Sequence, residues 1–471
     1  MKVSSFNAQK LSLLSMQRMN TTPLNWSAAS GTALSDILER ERIEFVHAGI
    51  FDTEGVFREK RLPVALARRY LAEGWSFIDA LPYWGPNDTV RADRAYRSEA
   101  CQLDVASLRP YPFEPHAALL VADYTGDSAA LSPRALLAAQ IARAHQLGFE
   151  PLGASEFEFI ILDETPATLS AKNFDQLQTL AQENCCWSGL YPAAGAEFLR
   201  DYDHCLRAGD IPLHHLCSEL GPGCLEAALP VRQLATAADD AALFKLFTKA
   251  FCIQRSLTAS FMAQLSDTHP GLGGHPSLSL RTRTTDVAAF HAADDPRGIS
   301  IVCRQFIAGI LQALPELMPM FASTVNAYRR YVPGNWAPRT ATWGLGNYTC
   351  GLRVVAGAPD DCRIEFRLPG ADTNPHLAFA LMLGAGLRGI EQNLQPPPET
   401  TDIGREFVHP AIGPLPRSLL EAAERMQRST LAADLFGAEF VTHFTQSCIQ
   451  EDITMRRHVA AFERKRYLHH V

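Results

Sequence analysis

The chain has 471 residues, 47% of them apolar, and a formal net charge of −8 at pH 7. That length and apolar content allow a large core and more than one domain, while the acidic balance and the lack of a sustained Lys/Arg run argue against nucleic acid or membrane as partners and for small-molecule ligands. No run of about 18 uncharged apolar residues occurs, and the N-terminus lacks the order of a secretory signal, so a cytoplasmic enzyme is expected.

Residues 1–33, rich in Ser, Asn, Thr and Met, show no apolar period and are expected to form a flexible arm. A small sheet domain is expected over 34–130. Within it, the alternation from Ile43 to Leu62 around Asp52-Thr53-Glu54-Gly55 predicts a hairpin turned by Gly55. Ser132 is placed to cap a helix that Pro133 opens and that runs to about Gln146, with Gly148 ending it. The remainder, 131–471, reads as a larger α+β domain in which strands carrying Glu, His and Arg alternate with helical patterns at Leu234–Phe261 and Ile299–Tyr328. A helical tail follows Leu415, and Pro396-Pro397-Pro398 is a connector. The eleven cysteines, without a CxxC pair, read as reduced and mostly buried. Cys185-Cys186 beside Trp187 reads as packing.

Four segments carry chemistry. In SEFEFIIL, Glu156 and Glu158 leave one face of a strand while Phe157, Phe159 and Ile161 take the other. Paired carboxylates there invite a cation, the alternative being a solvated edge strand. Glu219 and Glu226 flank Gly221-Pro222-Gly223, a turn able to fold both toward one point. In GGHPSLSL, His275, Ser277 and Ser279 share a face, although a lone His of this kind is more often a core residue. In CRIEFRLPG, Arg363 and Arg367 bracket Glu365 on one face, as a ligand site or as a structural ion-pair ladder. Five Glu and one His together would suit two hard divalent cations, Mg²⁺ or Mn²⁺, rather than zinc. Such a pair with arginines suits phosphoryl transfer.

The order and spacing of EFEF (156–159), ELGPGCLE (219–226), GLGGHPSLSL (271–280), NAYRRYVPG (326–334) and RIEFRLPGADTNPHLA (from Arg363) resemble the glutamine synthetase family from about Ile43 to Tyr467. The resemblance implies a small N-terminal β-grasp domain, a large catalytic α/β domain with antiparallel active-site strands, and a homo-oligomeric ring, a dodecamer of two hexamers. Carried over by position, it implies that Glu158, Glu219 and Glu226 hold one cation and Glu156, His275 and Glu365 the other. Arg330, Arg367 and Gly271 match glutamate contacts, Ser279, Arg353 and Arg363 nucleotide-side residues. Arg353, Arg330 and Trp336 are implied to border the reacting groups. The implied reaction phosphorylates the glutamate γ-carboxylate with ATP before an amine attacks.

The sequence also departs from the pattern. The flap glutamate that accepts a proton from ammonium is Trp336, and the arginine expected after WGxxN is Tyr348. The second His of an HxH pair is Ser277, Gln of the GPGQxE turn is Cys224, Asn of the Gly-rich loop is Pro270, Lys of FMxKP is Gln264, and an often basic position is Asp360. The expected function is ATP-dependent γ-glutamylation of an organic amine rather than ammonia. The alternatives are a metal-dependent enzyme on a glutamate-like substrate without ATP turnover, and a silent structural or regulatory homologue.

Overall fold

Two sheets organise the chain. The computed structural model describes residues 34–90, 95–183 and 186–470; the N-terminal arm and Cys185 lie outside them. The first sheet comprises β1 (Phe45–Phe51), β2 (Phe57–Pro63) and β3 (Trp75–Ile78); after a short ribbon of β4 (Trp84–Gly85) and β5 (Thr89–Val90) it continues with β6 (Ser98–Leu103), β7 (Arg109–Pro110) and β8 (Ala117–Tyr124). Its order is β2-β1-β8-β6-β3, with β7 also on β8, and β1 runs parallel to β8 as in a β-grasp fold. The predicted hairpin forms: Asp52 accepts from the Glu54 and Val56 amides, and Gly55 adopts φ 79°, a left-handed turn conformation that glycine enters without steric cost.

The helix Pro133–Gln146 is capped by the Ser132 hydroxyl, which accepts from the Ala135 amide. It leads into β9 (Phe149–Leu162), the hub of the second sheet. This sheet adds β10 (His215–Ser218), β11 (Cys224–Ala228), β12 (Arg232–Gln233), β13 (Thr258–Ser260), β14 (Gly274–Thr282), β15 (Trp343–Leu345), β16 (Leu352–Val355) and β17 (Arg363–Phe366). The order is β10-β11-β9-β14-β17-β16-β15, all antiparallel except β15 with β16, while β12 and β13 also pair with β9. Because side chains alternate along β9, Phe157 and Phe159 drop into the core, where they pack on Phe244 and Phe261. Each such burial is worth about 1.5–3 kcal/mol and fixes which face of the strand its glutamates occupy.

Two helices are shorter than their apolar patterns suggest. The first spans Leu234–Ile253; Ser256 takes φ 58° and the chain leaves as β13 rather than continuing to Phe261. The second, capped by Ser300, spans Ile301–Leu317, with a separate turn of helix at Ala327–Arg330. An apolar run satisfies the core in either conformation, so periodicity alone overran both ends. The stretch Ile301–Met320 is apolar enough to cross a membrane by length and composition, but 72% of it is buried within the protein. Helices Leu419–Gln427, Thr430–Phe436, Ala438–Arg457 and Ala461–Tyr467 form the tail.

The two sheets meet over a buried charge network. Asp239 accepts from Arg134 at 2.9 Å and lies 2.9 Å from His376 Nε2, while Arg134 also bonds Asp104 at 2.5 Å. Arg109 bonds Asp240 at 2.6 Å, and Asn374 donates to the carbonyl of Thr53 in the β1–β2 turn. Burial pushes the Asp239 carboxyl up, but Arg134 and His376 outweigh it and hold it well below the ordinary carboxylate range.

Candidate active site

Strand register gathers the predicted residues. Glu226 on β11 lies directly opposite Glu158 on β9; His275 on β14 is opposite Glu156; Ser277 faces Glu365 on β17, which faces Arg353 on β16. Paired residues share a face, so one side of the sheet carries a stripe of carboxylates, imidazole and guanidinium over five strands. Ligand atoms of Glu156, His275 and Glu365 lie within 4.8 Å of one another. Glu219, in the β10–β11 turn, takes its own Leu220 amide at 2.7 Å and lies near enough to raise the Glu226 carboxyl.

Like charges facing each other are unfavourable unless a cation joins them. Burial and the neighbouring Glu365 push Glu156 up to about 7; burial with Glu156, Glu158 and Glu219 pushes Glu226 up to about 8. Burial also raises Glu158, although Arg330 and the Gly273 amide, which donates at 2.7 Å, pull it down. His275 is driven well below its ordinary value by burial and by Arg367, Arg330 and Arg353, so its imidazole is neutral and able to act as a ligand. An oxygen-rich donor set with one neutral imidazole fits hard divalent cations.

The Gly-rich loop is needed for close approach. A Cβ on Gly273 would stand 2.3 Å from His275 Nε2 and 3.0 Å from a Glu158 oxygen, and one on Gly271 would stand 2.6 Å from Arg330 Cγ. Arg330 is buried, with Nη1 donating to the Leu368 carbonyl at 2.8 Å and Nη2 3.4 Å from His275; its Nε has no hydrogen-bond partner among the described residues. Arg367 lies one residue past the end of β17, bonding Glu365 at 2.5 Å and the Tyr348 carbonyl at 3.1 Å.

One partner differs from expectation. Arg353, not Arg363, is the second guanidinium on Glu365, at 2.6 Å, whereas Arg363 donates to the Asp361 carbonyl. Sequence alternation sees only neighbours on one strand, and Arg353 arrives from the adjacent strand. Tyr348 stands where an arginine was expected, and its ring lies 3.9 Å from the Arg353 guanidinium and 5.2 Å from that of Arg367. It is a platform for two cations rather than a third charge. Ser279 is half-buried on β14 opposite Leu152. Trp336 is 54% exposed, with the Arg405 guanidinium 4.9 Å from its ring. Gln264 braces the loop: its side chain donates to the carbonyls of Ser266 and His269 and accepts from Asn335.

The sequence reading missed three contributions. Gly273 clamps Glu158 from the backbone. Cys186 does more than pack, since its thiol lies 3.2 Å from Glu219 Oε1. His215 and Cys217 stand beside Glu226, and their spacing of two on a strand was the available signal.

Residues 130–467 match the family profile described as glutamine synthetase, catalytic domain. The chain belongs to the glutamine synthetase family. It is 32% identical over 437 residues to type-1 glutamine synthetase 2 of Dictyostelium discoideum, covering 90% of this chain and 83% of the relative. It is 30% identical over 452 residues to a glutamate–isopropylamine ligase of a Pseudomonas species, covering 92% and 96%. A solved GmaS/ADP complex superposes with a TM-score of 0.80 at 25% identity, covering 93% of this chain and 99% of that one. The fold is therefore glutamine synthetase-like, and the chain is a carbon–nitrogen ligase. The family uses ATP and divalent metals on small-molecule substrates, and its members are usually oligomeric.

Proposed function

We propose that the chain joins the γ-carboxylate of glutamate to an organic amine at the expense of ATP. The observation that carries this reading is Trp336: where ammonia chemistry needs a carboxylate, the chain presents a half-exposed indole stacked on Arg405, a surface suited to an alkyl amine. The similarity to a glutamate–isopropylamine ligase and to a GmaS/ADP complex supports it.

In this reading Glu158, Glu219 and Glu226 hold one Mg²⁺ or Mn²⁺ and Glu156, His275 and Glu365 the other. When bound, the two cations neutralise charge on the phosphate being transferred. Arg330 and Arg367 receive the carboxylates of glutamate, the Nε of Arg330 having no hydrogen-bond partner among the described residues, while Gly271 lets that guanidinium approach. Arg353, steadied on Tyr348, meets the phosphate side together with Arg363 and Ser279. Trp336 forms the wall against which the amine rests. Ring assembly completes each site.

Incubation with Mg²⁺, ATP, glutamate and a panel of alkyl amines and ammonia tests the proposal through ADP release and product mass. Formation of a γ-glutamyl alkylamide with ADP, at rates well above those with ammonia, is the expected result. Equal or faster glutamine formation from ammonia overturns the amine assignment. No ADP with any amine, while cations and glutamate still bind, replaces it with a reaction lacking ATP turnover. Arg367→Lys should weaken glutamate binding at least tenfold, because lysine cannot copy the bidentate fork.

A further inference from the structure

The edge of the second sheet carries donors of another chemical character. Strand β10 is the last in the order, and its cross-strand register sets Cys217 against Glu226. His215, two residues earlier, falls on the same face, with its Nε2 3.4 Å from Glu226 Oε1. The imidazole Nε2 or Nδ1, the Cys217 sulphur and a Glu226 oxygen form a triad whose ligand atoms all lie within 4.8 Å. Around a tetrahedral zinc, bonds of about 2.0–2.3 Å put such atoms roughly 3.3–3.8 Å apart, so small side-chain adjustments close the triad. The Nδ1 of His215 lies 3.2 Å from Nδ1 of His214, a contact that orients the ring. His215 is 44% exposed, which gives an ion a path from solvent.

We propose that His215, Cys217 and Glu226 form a site for a borderline-soft divalent cation of the Zn²⁺ type, set apart from the oxygen-rich set for Mg²⁺ or Mn²⁺ by its thiol and imidazole. Thiolate and imidazole favour zinc and its chemical neighbours over hard cations. On binding, the Cys217 sulphur loses its proton to solvent and forms the metal–sulphur bond, with no change in oxidation state. Glu226 belongs to both donor sets. Zinc at the edge therefore withdraws a carboxylate from the neighbouring set, so the site acts as an inhibitory sensor of soft metal.

Cobalt(II) is the probe, because a cysteine thiolate on Co²⁺ gives a charge-transfer absorption that oxygen-only sites lack. The purified full chain, kept reduced and titrated with Co²⁺ in excess Mg²⁺, should show this band, and Zn²⁺ should abolish it. Cys217→Ser should lose the band, and His215→Asn should bind Co²⁺ at least tenfold more weakly, with circular dichroism and particle size matching wild type. Absence of the band in wild type, or its full retention in Cys217→Ser, overturns the proposal. The readout does not require turnover, so a Co²⁺–thiolate band in a chain that makes no γ-glutamyl amide would refute the proposed function and leave this site standing. Where the chain is active, Zn²⁺ inhibition in excess Mg²⁺ should weaken at least tenfold in Cys217→Ser.

Discussion

Two buried charge clusters sit in this molecule and are built on opposite rules. At the junction of the sheets, Asp239 is met by Arg134 and His376, and its carboxyl is held well below the ordinary range. On the active-site stripe, Glu158 faces Glu226 and Glu156 lies near Glu365, and the carboxyls of Glu156 and Glu226 are pushed up to about 7 and 8. In the first cluster Asp239 meets both partners within the protein, and the network joins the two sheets. The second sets like charges against one another, offset in part by Arg330, Arg353 and Arg367, an arrangement that an added cation would favour.

The sharpest way to break the contrast is to remove one member of the junction. Asp239→Asn takes from Arg134 one of its two carboxylates, leaving Asp104, and takes from His376 the carboxylate beside its Nε2; it should destabilise by about 3 kcal/mol, read as a lowered urea midpoint. A loss below about 1 kcal/mol would mean the network is not structural. On the stripe, the expected effect has the opposite sign. Saturating Mn²⁺ at about 100 times its dissociation constant should stabilise by roughly 2.7 kcal/mol, visible as a raised melting temperature that a chelator reverses. No shift would argue against the cation assignment. Glu156→Gln should give a metal-free protein as stable as wild type or more stable by about 0.5–2 kcal/mol, while calorimetry finds cation affinity lowered. If the variant is markedly less stable without metal, the stripe is a structural cluster after all.

A weaker effect comes from the first sheet. Burial pushes the His47 imidazole down, but Glu59 at 2.7 Å and Glu114 at 3.0 Å outweigh it and leave it raised above 6.5. A group raised on folding contributes fully below its unfolded value and loses that contribution as pH climbs through the folded one. Wild type should therefore lose stability relative to His47→Gln as pH rises from 6.5, by under about 1 kcal/mol after screening. Parallel profiles for the two proteins would show that the imidazole stays neutral.

What the sequence made legible was local. Alternation placed Glu156 and Glu158 on one face, Gly55 in its turn and Ser132 at its cap, because each depends on residues within a few positions. Arg353 on Glu365 was not legible, since only the β16–β17 register brings them together. The end of the helix at Ile253 was missed because Phe261 is buried from β13's end as readily as from a helix. The Cys217 and His215 pair carries only a partial signal by itself, since its third member, Glu226, comes from the neighbouring strand. Tyr348 is a lost charge by sequence pattern, and only the fold shows its ring against two guanidinium groups.

Strand β9 pairs with β11, β12, β13 and β14, and the last of these ends at Thr282, 120 residues after Leu162. At roughly 5–20 residues per second, a ribosome needs about 6–24 s to deliver that final neighbour. For this interval a long, Phe-rich ribbon waits with at least one open side. Synthesis, more than the finished enzyme, is then the stage at which this chain is most exposed to wrong partners, and slower translation or missing chaperones should cost soluble yield before they cost activity per molecule.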